Sequence, residues 1–369
     1  MAGQFSFSFS GDDIDDEGQA GPGPGPGPSH GNEASALASS SASAFPVAGK
    51  PVLPATRHDL SDMLSKLPSK IAYSTLDVDL DGNGSIRLPR RELWDVRVQL
   101  MAEEDAGETE PGLGKHDVKT GVYEGGFKSW ESSVDLVKVL HSSNPFFADA
   151  ARVPRIIELG CGTALPSLAL FHWALSVRTA KYPPISIVLA DYNPTVLQLV
   201  TLPNFILTWA LHQRTQFAFL NEAFSTEGEL ELTPEVLTAF QTYLLGANFS
   251  LLFFSGGWSA EFVDLVTSAD IPAAETDLKQ VTIIIGAETI YSPFALGAFT
   301  QTIFSLMEHD KAKGHEAEAL VGAKKLYFGV GGSLDDFVVQ ARDRGAIVEQ
   351  VREEMEGVRR GVVRCSLPT

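Results

Sequence analysis

A pair of glycines follows the apolar run at 155–159, which has the composition of a buried strand. Gly160 and Gly162 would let the backbone turn sharply and approach a ligand closely, although strand-to-helix turns also use glycine for packing alone. Leu165 stands where a dinucleotide-binding fingerprint has its third glycine, so we expect no pyrophosphate here. Glu158, directly before the glycines, would repel a diphosphate but could accept a hydrogen bond from a ligand ammonium group.

Polar residues and glycines also follow the next two apolar runs. Asp191 ends the second run, and a carboxylate at this place can accept hydrogen bonds from both hydroxyls of a ribose. Asp191 could instead cap the helix expected from Pro194, although Asn193 stands at the better capping position. The third run ends in the turn Gly256–Trp258, whose indole could flank a purine or simply pack on the loop. Three such turns at successive strand ends indicate one ligand site, because ligands bind beyond the carboxyl ends of parallel strands.

The elements that must position these residues alternate along the chain from about residue 117. Near-continuous apolar strands separated by helices are typical of a mostly parallel sheet covered on both faces. The last two strands have no helix between them, so we expect an antiparallel hairpin at one edge. The predicted fold class is therefore α/β, a doubly wound, mostly parallel seven-stranded sheet. The strands are predicted at 155–159, 185–191, 248–258, 282–291, 324–332, 346–351 and 362–366, with helices at 168–175, 194–211 (kinked by proline), 294–307 and 333–345 and a partly helical insertion at 213–247.

Composition divides the chain into three parts. Residues 1–50 carry an acidic tract and a Gly-Pro alternation, so we expect a disordered tail. Residues 51–116 are predicted to be an accessory segment that ends in an acidic linker, and 117–369 the domain itself. A stretch from Asp77 resembles the first half of a calcium-binding loop, but Leu88 stands where the bidentate glutamate is needed. We therefore interpret this stretch as a turn between two extended segments.

The charge balance and the cysteine count bound the function classes. With 28 Lys+Arg against 47 Asp+Glu, the net charge is −19, a poor match for a bare phosphate backbone and a better one for a basic protein partner. We therefore expect no direct nucleic-acid binding. Two cysteines, Cys161 and Cys365, exclude a disulfide framework and indicate a reducing compartment. No metal site, signal peptide or membrane span is predicted, and we expect a monomer without membrane contact.

The three turns together resemble those of class I S-adenosylmethionine-dependent methyltransferases, with E-L-G-C-G as the glycine motif and Asp191 as the ribose acid. Further stretches narrow the resemblance to the eukaryotic protein-histidine methyltransferases, which modify one histidine of large-subunit ribosomal protein number three. The similarity covers roughly residues 70–369. The stretches are IAYSTLDV (71–78), GGFKSWE (125–131), LGCGTALPS (159–167), FSGGWS (254–259), ETIYSP (288–293) and LYFGVGGS (326–333).

The resemblance implies that S-adenosylmethionine is the cofactor and S-adenosylhomocysteine the product, without a metal. A tryptophan face suits a sulfonium cation, although Trp130 could instead be a core aromatic of an amphipathic helix. Two positions depart from the family pattern, since Ala287 stands where a serine is expected and Glu158 replaces an aspartate. The cofactor-binding residues implied are Ser129, Trp130, Glu131, Ser132, Ser133, Glu158, Gly160, Gly162, Asp191, Tyr192, Asn193, Gly256, Gly257, Trp258 and Ala287.

The resemblance also implies a histidine side chain as the methyl acceptor. A neutral imidazole already has a lone pair at pH 7, because its pKa is about 6.5, so the reaction needs positioning rather than a strong base. Glu288 is the catalytic candidate and would orient the histidine through its other ring N–H. Tyr291 is the second candidate, as a wall or a hydrogen-bond donor. Glu288 could instead cap the following helix or bind a nearby arginine.

Two other function classes stay open on the sequence. A protein-lysine methyltransferase of the same fold also fits Glu288 and Tyr291, with the carboxylate helping to deprotonate an ammonium group. A non-catalytic chaperone for a ribosomal protein could keep the fold. A nucleic-acid substrate is disfavoured, because the [D/N]-P-P-[Y/F] tetrapeptide of many such enzymes is lacking. The resemblance implies that the substrate is a basic large-subunit ribosomal protein, methylated on the histidine ring nitrogen distal to the backbone. We expect the acidic residues at 103–110 to help hold this substrate. We also expect the chain to work in cytoplasm and nucleus.

Overall fold

The computed structural model describes residues 53–105, 125–142, 151–177, 181–269, 278–327 and 332–368. All of them fall within one compact unit. The predicted tail, the predicted linker beyond residue 105 and the motif residues 328–331 lie outside the described residues. The first residues of the predicted linker belong to a helix, Leu93–Asp105, rather than to a loop.

Strands and helices alternate along most of the chain, as predicted. The described strands are β1 (Thr56–His58), β2 (Lys70–Asp79), β3 (Ser85–Arg91), β4 (Arg152–Leu159), β5 (Ile185–Asp191), β6 (Glu229–Glu231), β7 (Phe249–Ser255), β8 (Lys279–Ala287), β9 (Glu316–Lys324), β10 (Ile347–Glu354) and β11 (Arg360–Ser366). The described helices are α1 (Leu60–Ser65), α2 (Leu93–Asp105), α3 (Glu131–Ser142), α4 (Leu165–Val177), α5 (Pro194–Val196), α6 (Leu202–Gln213), α7 (Ala218–Ala223), α8 (Pro234–Gly246), α9 (Ala260–Ser268), α10 (Pro293–Ala312) and α11 (Leu334–Asp343).

Eight strands form the central sheet in the order β1-β7-β5-β4-β8-β9-β11-β10. The five strands from β7 to β9 are mutually parallel, whereas β11 runs antiparallel to both of its neighbours. The predicted α/β sheet and its edge hairpin are confirmed. One strand is added, because β1 from the predicted accessory segment pairs antiparallel with β7. The strand order reverses between β4 and β8, and ligands bind at such a switch point in open parallel sheets.

Helices cover both faces of the central sheet and create two hydrophobic cores. Successive strand residues point to opposite faces, so Ile156 of β4 joins one core and Ile157 the other. Ile285 and Ile284 of β8 divide in the same way, and all four side chains are fully buried. Burial on both faces explains why these strands form continuous apolar runs instead of alternating ones. The turns at the carboxyl edge are therefore attached to a rigid support.

The helix predicted at 194–211 is present as the run Pro194–Gln213, whose winding changes along its length, and the proline kink stays a prediction. A π-helical turn, Leu197–Thr201, joins α5 to α6, and α6 carries Pro203, which lacks a backbone N–H, in its first turn. Within the described part of the chain, this run is the one helix that is long and apolar enough to cross a membrane by length and composition. The apolar window is 78% buried inside the protein, which accounts for its composition.

A smaller sheet of three strands, β3-β2-β6, includes the calcium-like stretch. β2 and β3 form a hairpin, and the stretch from Asp77 supplies its turn, as predicted. Asp81 in this turn binds Nη1 of Arg352 at 2.6 Å, so its carboxylate is engaged in an ion pair. The third strand, β6, lies in the insertion at 213–247, where the sequence analysis predicted only partial helix.

The predicted strand at 324–332 is wrong in position, because the strand is β9 at Glu316–Lys324. Acidic residues at its start hide it from a search for apolar runs. Glu316 binds Arg152 at 3.0 Å and Lys279 at 2.9 Å, which are the first residues of β4 and β8. Gly322 lets α3 pack on the strand, since a Cβ there would lie 3.1 Å from the Ser132 carbonyl oxygen. The chain after β9 leaves the sheet.

Candidate active site

The glycine turn after β4 lies at the carboxyl edge of the sheet. Gly160 and Gly162 have φ angles of +65° and +50°, left-handed values that favour glycine. A Cβ on Gly162 would lie 3.0 Å from the carbonyl oxygen of Gly126, which belongs to a 3-10 turn just before α3. The hydroxyl oxygens of Ser129 and Thr163 lie 3.1 Å apart and join the same two segments. The structure thus brings the segment before α3 onto the glycine turn.

Asp191 at the end of β5 braces the glycine turn. Its carboxylate accepts the Gly162 N–H at 3.0 Å and the Asn193 N–H at 3.1 Å. Burial raises the pKa of Asp191 to about 6, although the backbone hydrogen bonds lower it. Asn193, not Asp191, caps the helix, because its side-chain oxygen accepts the Thr195 N–H at 3.0 Å. Contact between Asp191 and a ribose stays a prediction.

Two buried polar groups flank Gly160 without a hydrogen-bond partner among the described residues, namely Nε1 of Trp258 and Oγ1 of Thr289. A Cβ on Gly160 would lie 2.6 Å from Cγ2 of Thr289 and 3.7 Å from Cζ2 of Trp258, so both side chains pack against the turn. Buried polar groups are nearly always paired in folded proteins. Nε1 of Trp258 therefore fits a polar ligand such as the adenosine part of S-adenosylmethionine, whereas the Thr289 methyl group faces Gly160 and its hydroxyl faces Gly286.

Trp130 directly precedes α3 and remains 39% exposed, so it is not the core aromatic that the sequence left open. The Nζ atom of Lys324 lies over its ring, 5.7 Å from the centroid, which is within the range of a cation–π contact. Lys324 therefore already supplies a cation to this ring, and contact of Trp130 with a sulfonium stays a prediction. The next residues begin α3, where Ser132 and Ser133 are buried and Ser133 donates its N–H to the Trp130 carbonyl at 3.0 Å.

Glu288 follows Ala287, the last residue of β8, and has a φ of +56°. Left-handed backbone in a residue that carries a Cβ is strained, and such strain clusters at functional sites. The carboxylate accepts hydrogen bonds from the Ser132 hydroxyl through Oε1 and from the Tyr327 hydroxyl through Oε2. Burial raises the pKa of Glu288, while both hydroxyls and the nearby Lys324 lower it. Ser292 caps the next helix, so Glu288 is not its cap, and among the described residues the Glu288 carboxylate binds two hydroxyls rather than an arginine.

Tyr327 is the functional candidate that the sequence analysis missed. It follows β9, where the chain has left the sheet, and its hydroxyl reaches the Glu288 carboxylate. Burial and the neighbouring Glu288 carboxylate raise the pKa of Tyr327 above its ordinary value. Lys324 lies 5.7 Å from the centroid of the Tyr327 ring as well. The predicted candidate Tyr291 is half-buried and interacts electrostatically with Tyr327, so both tyrosines belong to this region.

The segment before β1 is hydrogen-bonded to the turn Gly256–Trp258, which was predicted to flank adenine. The Gly257 N–H donates to the Leu53 carbonyl at 3.0 Å, and the Leu53 N–H donates to the Tyr192 hydroxyl at 3.1 Å. Gly256 has a φ of +98°, and a Cβ on it would lie 2.2 Å from the Pro54 carbonyl oxygen. This close approach requires glycine at position 256. Contact of these residues with adenine stays a prediction.

Glu158 lies in the protein interior and hydrogen-bonds to the start of α4. Its side chain is 1% exposed and accepts the Ser167 N–H in the first turn of α4 at 3.0 Å. Burial raises the pKa of Glu158 to about 8, with the nearby Asp191 charge adding to the effect. The predicted cofactor contact of Glu158 stays a prediction. In the described ranges, no group of three or more His, Cys, Asp and Glu side chains is arranged to hold a metal ion.

Comparison with known proteins identifies relatives. The chain is 35% identical over 272 residues to histidine protein methyltransferase 1 of Saccharomyces cerevisiae, which covers 70% of this chain and 69% of the relative. It is 32% identical over 284 residues to histidine protein methyltransferase 1 of Schizosaccharomyces pombe, which covers 75% and 74%.

The other comparisons carry less weight. No family model matches the chain. The rRNA methyltransferase aviRa of Streptomyces viridochromogenes superposes with a TM-score of 0.33 at 12% identity, covering 69% of this chain and 94% of that one. Because this TM-score is low, the fold assignment rests on the strand order of the central sheet instead. From the identity and coverage of the two yeast relatives, the chain belongs to the histidine protein methyltransferase 1 family, whose members are S-adenosylmethionine-dependent methyltransferases.

Proposed function

We propose that this chain methylates one histidine of a basic large-subunit ribosomal protein, on the ring nitrogen distal to the backbone (the tele nitrogen). Glu288 carries the proposal, because it is a buried carboxylate that two hydroxyls fix in place at the end of a strand beside the switch point. S-adenosylmethionine, when bound, supplies an electrophilic methyl group on a sulfonium centre.

The residues around the glycine turn would hold that cofactor. Nε1 of Trp258 would donate a hydrogen bond to its adenosine part. Trp130, which is 39% exposed directly before α3, would border the methionine end of that cofactor. The Asp191 carboxylate accepts two backbone N–H groups, and its remaining lone pairs would accept hydrogen bonds from the ribose hydroxyls.

Glu288 would orient the acceptor. The imidazole nitrogen nearer the backbone donates its N–H to the carboxylate, which leaves the lone pair of the tele nitrogen free to react. The ring becomes positively charged as the new N–C bond forms and the bond between the methyl carbon and sulfur breaks, with S-adenosylhomocysteine as the neutral leaving group. A carboxylate beside the ring stabilises that charge and can take up the proton of the nearer nitrogen, which leaves neutral tele-methylhistidine. A hydrogen bond to a charged group contributes about 1.5–3 kcal/mol, or roughly 10–150-fold in rate if it strengthens in the transition state. Ser132 and Tyr327 would keep the carboxylate in one orientation.

The proposed partner is consistent with the charge of the chain. A net charge of −19 favours encounter with a basic protein, and the acidic residues at 103–110 would help to capture it. We propose that the chain works as a monomer in cytoplasm and nucleus, where ribosomal proteins are made and assembled.

Comparing large-subunit proteins from cells with and without the gene tests the proposal. Intact masses should show one protein that lacks a single methyl group in the disrupted strain. Hydrolysis of that protein from normal cells should release tele-methylhistidine. Methyllysine in place of methylhistidine would support the lysine methyltransferase, and identical large-subunit proteins in both strains would overturn the ribosomal assignment.

A further inference from the structure

An ammonium group of the protein itself occupies the aromatic faces beside Glu288. The Nζ atom of Lys324 lies 5.7 Å from the ring centroids of both Trp130 and Tyr327. Tyr327 is in turn bound to the Glu288 carboxylate. The half-buried Lys324 therefore lies beside both rings and near the carboxylate assigned to the acceptor.

We propose that Lys324 is a specificity-determining residue that selects a neutral imidazole over an ammonium group as the methyl acceptor. The inference rests on the proposed function, because it takes Glu288 as the residue that holds the acceptor. A substrate ammonium would need aromatic faces and an uncompensated carboxylate for binding. Here Lys324 already lies over those faces, and Ser132 and Tyr327 already donate to the carboxylate. A substrate ammonium, which would also have to lie beside the sulfonium of the cofactor, would meet like charge with little to offset it.

The charge difference between the two acceptors is large at working pH. A lysine side chain has a pKa of about 10.4, so only about one in a thousand is neutral at pH 7.4. A histidine with a pKa of about 6.5 is mostly neutral at the same pH. A site that rejects ammonium groups therefore favours histidine about a thousandfold by protonation state alone.

Other charged and titratable groups face this region and contribute to its pH dependence. Arg360, the first residue of β11, pairs with Lys324 in the sheet. Its guanidinium forms an ion pair with Asp135 of α3 at 2.8 Å, so the charge of Asp135 is neutralised. The groups to be considered are Glu131 and Asp135 on α3, Glu288 and Tyr291 after β8, Lys324 at the end of β9, Tyr327 after it, and Arg360 on β11.

The test compares Lys324→Met with two matched variants. Lys324→Arg keeps the positive charge, and Lys325→Met removes the neighbouring lysine, whose Nζ binds Glu353 at 2.7 Å. Each protein receives methyl-labelled S-adenosylmethionine and unfractionated large-subunit ribosomal proteins from a strain that lacks the enzyme. The readouts are the ratio of methyllysine to methylhistidine after hydrolysis and the pH dependence of the rate at saturating acceptor. Thermal melting verifies that each variant is folded.

Two results are expected for Lys324→Met. The methyllysine share should rise at least tenfold, and the acid limb of the histidine reaction should move up by about one pH unit, because a like charge within a few ångströms lowers the pKa of a bound imidazole by about that much. Lys324→Arg and Lys325→Met should keep the wild-type limb. A folded Lys324→Met variant with an unchanged acid limb of the pH profile and no methyllysine would overturn the inference. Methylhistidine formed by the wild type in the same experiment would still support the proposed function. A wild type that forms no methylhistidine would overturn the proposed function itself.

Discussion

Replacing Gly160 by alanine should destabilise the protein through two separable effects. The φ of +65° costs an L-residue about 1–2 kcal/mol. The new Cβ would also lie 2.6 Å from Cγ2 of Thr289, and overpacking of this kind costs about 1–3 kcal/mol. Thr289 has little room to move, because it is only 7% exposed. The free energy of unfolding should therefore fall by about 2–5 kcal/mol.

Thr289→Ser separates the two effects, because it removes Cγ2 and keeps the hydroxyl. In the wild-type background this change should cost about 1 kcal/mol for the lost buried methyl group. In the Gly160→Ala background it should stabilise the protein instead, since the methyl group is the clashing atom. Urea unfolding of the four proteins measures the coupling directly. Additive effects, with Thr289→Ser destabilising both backgrounds equally, would refute the packing argument.

Three further predictions concern charge and the site. Glu288→Gln should lower kcat about 10–150-fold while the Kd for S-adenosylhomocysteine, measured by calorimetry, changes little; a lost Kd with an intact kcat would contradict the assigned role. Burial raises the pKa of Glu158 to about 8, whereas its pKa in the unfolded chain is about 4.5. The stability that Glu158 contributes in its neutral form is therefore fully present below pH 4.5 and is lost as the pH rises through about 8. Glu158→Gln, whose side-chain oxygen can still accept the Ser167 N–H, should flatten this decline in unfolding curves taken from pH 5 to 9, and an unchanged slope would reject the assignment. Neutralising the acidic residues at 103–110 should raise KM for the protein acceptor at low salt and reduce its salt dependence, whereas unchanged kinetics would exclude this segment from capture.

The parts of the fold that were predicted correctly depend on local pattern. β4 and β5 form continuous apolar runs because both of their faces are buried, and the polar turns after them mark the carboxyl edge. Glu288 was found in the same way, as the acid after such a run. The parallel core of the sheet and the carboxyl edge that carries the candidate site follow from these runs, whereas β1 and the position of β9 do not.

The parts that were missed depend on contacts between distant residues. Tyr327 matters because it reaches Glu288, 39 residues earlier, and no periodicity reports that contact. Its motif stretch suggested a strand, whereas the strand before it was hidden by Glu316 and Glu318. The three-residue β1 could not be predicted either, because its place depends on the turn conformation at Gly256, about 200 residues away.

Transfer of labelled methyl from S-adenosylmethionine by the purified chain tests the central claim most directly. The acceptors are ribosomes and free large-subunit proteins from a strain that lacks the enzyme, and the label is identified after hydrolysis. The account predicts label in tele-methylhistidine of a single large-subunit protein and a rate reduced about 10–150-fold with Glu288→Gln. Label in methyllysine, or no transfer from a chain that binds S-adenosylhomocysteine, would contradict it.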